Sequence, residues 1–291
     1  MSFIERKIAL QITLGQGASF DPSGSNVVNL EKHRISVSIN KTIGGAGFGE
    51  ARIRVYGLVP SILNKLSSLN SAIATAQGNR LAVMAGDDRN GMALVFTGNI
   101  ILAQADMSTQ PETALSLLAV GSGLQATQNI APQSYPGGAD AAVILQNLAS
   151  LAGLNFVNYG ASKIISTSYT WGSARKQIED VIRAAGFHGA IDNGALIIWP
   201  ADGVRGGQVP LVSSATGMVG YPTYWASEKG GGIAVTTVFN QQLRTGAAVK
   251  VESGLNVANG TWGIYELAHD IESLVPGGQW FSHFKANSYG R

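Results

Sequence analysis

Between Lys7 and Leu14 the side chains Ile8, Leu10, Ile12 and Leu14 alternate with Lys7, Ala9, Gln11 and Thr13. Successive side chains of a strand point to opposite faces, so a period of two reads as a half-buried strand. The pattern returns over Arg34 to Asn40, with Ile35, Val37 and Ile39 inward, and over Ala51 to Tyr56, with Ile53 and Val55 opposite Arg52 and Arg54. Three such strands near the start commit the chain to a largely β architecture.

Pro60 to Ala74 departs from this period. Leu63, Leu66, Leu69 and Ile73 recur at three- and four-residue steps behind a proline suited to a first helical turn, which predicts one amphipathic helix. Strands resume over Leu81 to Met84, Ala93 to Ala103 and Leu115 to Val120, broken at the Asp87, Asp88, Asn90 and Gly91 turn and at a polar linker around Gln110. Residues 1–130 are thus expected to form a small barrel with one helix.

Past the loop Ala131 to Gly138 the texture changes. Asp140 can cap a helix running to Leu151 and ended by Gly153, and Ser173 another running to Ala185 and ended by Gly186. Asp192, Asn193 and Gly194 supply a tight hairpin into a strand from Ala195 to Trp199, which Pro200 ends. Residues 136–203 read as a small α/β insert. Beyond a Gly-rich linker at 203–207, strands near Gly232 to Phe239, Ala247 to Glu252, Gly263 to His269 and Gln279 to Lys285 define a second β block, residues 204–291.

The chain has 291 residues, 45% of them hydrophobic, with 37 glycines, 9 prolines and no cysteine. Disulfides, thiolate nucleophiles and cysteine-based zinc sites are excluded together. Only 13% of residues are charged, which suits a protein that buries much of its surface against partners in a constitutive oligomer. The net charge of +2 comes from twenty basic and eighteen acidic residues scattered along the chain, with no basic stripe for nucleic-acid recognition. The opening MSFIERKIALQITLG lacks the continuous apolar core of a signal peptide, and no run of about 18 apolar residues suits a membrane-spanning helix. The expectation is a protein that is soluble or built into a particle, without membrane insertion.

Catalytic chemistry finds little purchase. GGAGFGE, Gly44 to Glu50, is rich in glycine but opens no helix, and phosphate binding needs helix N-terminal amides. His33, His188, His269 and His283 show no metal-ligand spacing. His269 beside Asp270 lacks a nucleophile elbow, and the pairs Glu179 with Asp180 and Asp87 with Asp88 read as solvated acids. Trp171, Trp199, Trp225, Trp262 and Trp280 are spread too widely to form a sugar platform without help from the fold. No catalytic residue, cofactor or metal is expected. The classes weighed are an assembly protein, a peptidoglycan or polysaccharide hydrolase, and a carbohydrate-binding module, with the first favoured.

In LVSSATGMVGYP, with FNQQLRTGAAVKVES and HDIESLVPGGQWFSHFKA further on and ARIRVYGL ahead of a helix, the chain resembles the baseplate hub proteins of tailed phages. The resemblance implies mainly β structure, with two tail-tube-like antiparallel β-barrels flanking the α/β insert. It also implies a homotrimer in the virion's tail baseplate. Such a trimer acts as a symmetry adaptor between the hexameric tail tube and the trimeric central spike, beside other baseplate proteins. DNA would pass through its channel only as cargo. On that reading Thr216, Gly217, Met218, Val219, Gly220, Tyr221 and Pro222 shape the approach into the second barrel and are candidate partner contacts. Arg52, Arg54, Lys250 and Glu252 are candidate lumen-facing residues.

Overall fold

The computed structural model describes residues 5–43, 49–108, 111–121, 127–166, 168–227 and 230–288. The alternating segments form β1 (Arg6–Thr13), β3 (Ile35–Thr42) and β4 (Glu50–Tyr56), with a short β2 (Val27–Leu30) paired to β1. β5 (Arg80–Asp87), β6 (Gly91–Asp106) and β7 (Ala114–Gly121) follow.

The single helix expected over Pro60 to Ala74 is two, α1 (Pro60–Leu66) and α2 (Ser71–Gln77). Ser67 is extended, Ser68 donates its N–H to the Ala103 carbonyl, and the Asn70 side chain accepts the Ile73 N–H as an N-cap. Polar residues that offer the backbone alternative bonds thus cut the helix. Leu69, counted on the apolar face by spacing, is 91% exposed in the break.

The insert holds β8 (Gln133–Tyr135), β9 (Ala139–Asp140), α3 (Ala141–Leu151), β10 (Asn155–Asn158), β11 (Ile164–Ile165), β12 (Ser168–Thr170), α4 (Ala174–Ala185), β13 (His188–Asp192) and β14 (Ala195–Trp199). Both helices are capped as their sequences foretell: the Asp140 side chain accepts the Ala142 N–H at 2.8 Å, and Ser173 that of Lys176 at 3.2 Å. Their apolar faces meet over the small sheet β10-β14-β13, around Ile144, Leu145, Leu148, Ile178 and Ile198.

β15 (Leu211–Ser213), β16 (Met218–Ser227), β17 (Gly230–Val238), β18 (Ala248–Glu252), β19 (Gly260–Ser273) and β20 (Trp280–Asn287) complete the chain. They do not form a sheet of their own. β19 pairs with β3 over eight residue pairs, from Glu266 with Thr42 to Ser273 with Ile35. One 13-stranded sheet therefore runs β16-β17-β20-β19-β3-β4-β7-β6-β5-β1-β2, with β18 and β15 branching from β19.

The molecule is mainly β and built on a large, almost wholly antiparallel sheet. Among the described residues no hydrogen-bonded ring closes either half, and the strands of the two expected tail-tube-like barrels are joined in one continuous sheet. β1 lies alongside β19 without a ladder between them, and the core of the first half takes in Ile271 and Trp280 from the second. A separate core beneath β17 to β20 gathers Ile233, Val249, Ile264, Leu267 and Phe284.

Candidate assembly surface

Facing residues of antiparallel strands point to the same side, so the register maps each face of the sheet. Arg52 lies opposite Ser38, which lies opposite Asp270; Arg54 lies opposite Ser36, which lies opposite Glu272. Further along, Glu266 faces Lys285 and Ala268 faces His283. A single polar face thus crosses the junction of the two halves while Val37, Ile53, Leu267 and Ile271 fill the other side.

The basic groups named on this face are all paired. Arg52 Nε donates to Glu50 at 2.7 Å, Arg54 to Asp106 at 3.0 Å and Lys285 to Glu266 at 3.0 Å, while His283 Nε2 stands 3.5 Å from Asp270. The hydrogen bond that Lys285 donates to Glu266 raises the Lys285 pKa, and those from Ser108 lower that of Asp106. Lys250 and Glu252 pair with each other at 2.7 Å on the branch strand β18, apart from the arginines of β4.

The stretch Thr216 to Pro222, expected to shape the approach into the second barrel, crosses from a tight turn into a strand. Thr216 closes a 3-10 turn, with its side-chain oxygen accepting the Ser213 N–H and donating to the Leu211 carbonyl, both at 2.8 Å. Gly217 then takes φ +106°, which a side chain would resist, and its carbonyl accepts the Val238 N–H at 2.8 Å. β16 begins at Met218 and is the outermost strand of the sheet at that end.

Its register breaks between Val219 and Thr223, so that Gly220, Tyr221 and Pro222 bulge where the partner strand has one residue. Pro222 is buried and Met218 packs against the core, whereas Val219 is 42% and Tyr221 76% exposed. Beyond the bulge Tyr224 and Trp225 are also exposed, and the Trp225 ring covers the backbone of Gly232 across the hairpin. The outer edge of β16 carries no ladder among the described residues.

The imagined catalytic sets come apart. Neighbours on a strand point opposite ways, so His269 enters the core and bonds Ser282 at 2.8 Å, while Asp270 faces out toward His283. The Ser282–His269 pair resembles a nucleophile and base, but both residues are buried, which leaves no path for a substrate. Desolvation, then the nearby charge of Lys41, pushes the His269 pKa down to about 3 and keeps the ring neutral. Glu179 pairs with Arg175 and Asp180 with Lys176 along α4. Asp87 accepts turn amides of Arg89 and Asn90, and Asp88 pairs with Lys7. No group of metal-ligating side chains occurs among the described residues. Residues 44–48 of the glycine-rich loop lie outside them; Glu50, just beyond, opens a strand.

One polar cluster escaped sequence reasoning. Lys41 of β3 donates to Asp192 Oδ1 at 2.7 Å and Arg205 donates to Oδ2 at 2.9 Å, with all three side chains nearly excluded from solvent. Burial alone would raise the Asp192 pKa, but the charge and hydrogen bond of Lys41, then those of Arg205, outweigh it and hold it down at about 2. Asp192 was legible only as a turn residue, since Lys41 lies 151 residues away and Arg205 lies beyond the whole of β14 and the linker that follows it.

The described residues present an extended polar sheet face and an unpaired strand edge, the kind of surface that suits a protein built into an assembly. Its fold is that of phage tail proteins. It is similar to the tail protein from Neisseria meningitidis MC58, at 9% identity over 97% of this chain and 96% of that one, with a TM-score of 0.66. The 43 kDa tail protein of prophage MuSo2 from Shewanella oneidensis matches at 9% identity over 97% and 96% of the two chains, with a TM-score of 0.64. The E. coli c3393 protein, a type VI secretion component described as structurally similar to T4 tail proteins gp27 and gp5, matches at 10% identity over 89% and 75%, with a TM-score of 0.58. No curated protein matches the sequence.

The model of the family "Baseplate hub gp41" matches residues 10–275, and the chain belongs to that family. It is a structural component of the virion's tail baseplate and not an enzyme. No helix among the described residues is long and apolar enough to cross a membrane.

Proposed function

We propose that three copies of this chain form a ring that joins the hexameric tail tube to the trimeric central spike, with DNA passing through as cargo. The observation that carries this reading is the ladder between β3 and β19. It aligns four antiparallel strands of the first half, β3-β4-β7-β6, with four of the second, β19-β20-β17-β16, in one sheet. A subunit with two such runs offers a tube of sixfold symmetry two similar contacts, so a threefold ring supplies six.

On this reading residues 1–130 and 204–291 are related barrel-like units and 136–203 is an attached α/β unit. The polar face carrying Arg52 and Arg54 lines the channel, and Lys250 with Glu252 marks its continuation on β18. Because the basic groups on that face are already paired, it presents no concentrated positive charge to grip phosphates. The exposed bulge at Val219 to Tyr221 is a contact between subunits or with a neighbouring baseplate protein.

Sedimentation of the chain mixed with its spike should show a trimer, and a monomer at all concentrations would sink the proposal. Tyr221→Asp should weaken that association at least tenfold while leaving the melting temperature in place, since the ring is largely solvent-exposed in the monomer.

A further inference from the structure

The hairpin between β13 and β14 ends at Asp192, Asn193 and Gly194, and its tip reaches out of the insert into the large sheet. Asp192 takes one cation from each half: Lys41 from β3, and Arg205 from the segment that leads into the second half. Arg205 is itself fixed there, since its N–H donates to the Gly246 carbonyl at 2.6 Å and it bridges to Ala247. Asn193, at φ +48°, accepts the Thr97 N–H of β6 at 3.1 Å.

Elsewhere the insert touches the sheet sparingly. None of its helices or strands lies extensively against a strand of the large sheet among the described residues. The other marked contact is at the far end of β14, where the Trp199 ring closes on Gly246 so tightly that a Cβ there would stand 2.7 Å away. Trp199 is followed directly by the connecting segment, so this contact sits where the insert is tethered in any case.

We propose that Asp192 is a latch: its single buried carboxylate holds the insert's hairpin in its seat on the sheet, and Trp199 with the following segment is the pivot about which the insert moves when the latch opens. The latch is finely balanced. Two cations share one carboxylate, and Arg205 Nε is buried with no acceptor among the described residues. With the carboxylate gone, two buried positive charges face each other without compensation, which expels the hairpin from its seat instead of merely loosening it. The insert's own core, remote from the latch, has no reason to melt.

This inference does not depend on the ring reading, because it concerns contacts within one chain. Hydrogen exchange on the full-length protein tests it. In Asp192→Asn, amides of residues 188–198 and of Thr97 should exchange roughly several hundredfold to a few thousandfold faster than in the parent, the scale set by breaking a buried ion pair. Amides of α3, α4 and β4 should keep their protection. Asp192→Glu, which retains the charge, should recover most of the loss. Equal exchange in the Asn and Glu variants, unchanged exchange in both, or simultaneous loss of protection throughout would overturn the proposal. Should Asp192→Asn fail to fold, Lys41→Met combined with it removes one stranded cation and should restore folding; a double variant no better than the single one would refute the latch.

Discussion

Two sets of ion pairs, alike in chemistry and geometry, do opposite things in this protein. Arg52 meets Glu50 at 2.7 Å on the open face of the sheet, and Lys41 meets Asp192 at the same 2.7 Å beneath the hairpin. The Arg52 side chain is 74% exposed and the Asp192 side chain 8%. In water an ion pair gains little, because solvent already satisfies both charges and screens their attraction. Under the hairpin, solvent has been removed and each charge depends on its partner. Distance alone therefore does not rank these contacts; the dielectric around them does.

The comparison sharpens into four measurements of decreasing size. Asp192→Asn should cost about 3–5 kcal/mol in the opening free energy of the β13–β14 hairpin, read from hydrogen exchange of residues 188–198, because it strands two buried cations. A loss no larger than that of an exposed pair would erase the distinction.

Acid should come next. The His269 ring is held neutral with a pKa of about 3, so the unfolded chain binds the proton first, and stability falls as the pH drops below about 6.5 until it reaches about 3. The slope should approach about 1.4 kcal/mol for each pH unit in the middle of that window. His269→Gln should flatten it. Asp192, depressed to about 2, keeps its charge over most of this range and adds its own loss as the pH falls from about 4 through about 2. Urea midpoints at several pH values would separate the two.

Lys41→Met should cost only about 1 kcal/mol, much less than Asp192→Asn, because the remaining Asp192–Arg205 pair is neutral and still hydrogen-bonded. Equal losses from the two substitutions would show that pairing number, not net buried charge, governs the cluster. Arg52→Ala should leave the thermal midpoint where it is, within the scatter of replicate melts, and a clear drop would mean that the open face is less solvated than its exposure indicates.

Which parts of this could be read beforehand follows the range of the physics. Strands such as β1 and β4 were legible because alternation is local, and Asp140 and Ser173 because a capping side chain acts within three residues of itself. β16 was missed since Gly220 and Pro222 disguise a strand as a turn; the bulge that accommodates them depends on β17. The break between α1 and α2 was missed because periodicity counted Leu69 as apolar while Asn70 was already a cap. The join of β3 to β19 and the meeting of Lys41, Asp192 and Arg205 are pairings across hundreds and tens of residues that no local pattern encodes. Of the candidate surface, the sequence marked Arg52, Arg54 and the Thr216 to Pro222 stretch, but not the continuous face or the exposed edge that relates them.

The ladder between β3 and β19 also sets a timetable. The core of the first half requires Ile271 and Trp280, so it cannot be completed while the ribosome is still making the middle of the chain. At roughly 5–20 residues per second, β1, β3 and β4 wait on the order of ten seconds or more for the strands that finish their core. Throughout that interval the free flank of β3, with Ile35, Val37 and Ile39 alternating along it, is an unpaired edge open to pairing with another nascent chain. Dense translation on one message is therefore where this protein is most exposed to misassembly, before any partner in the particle has been met.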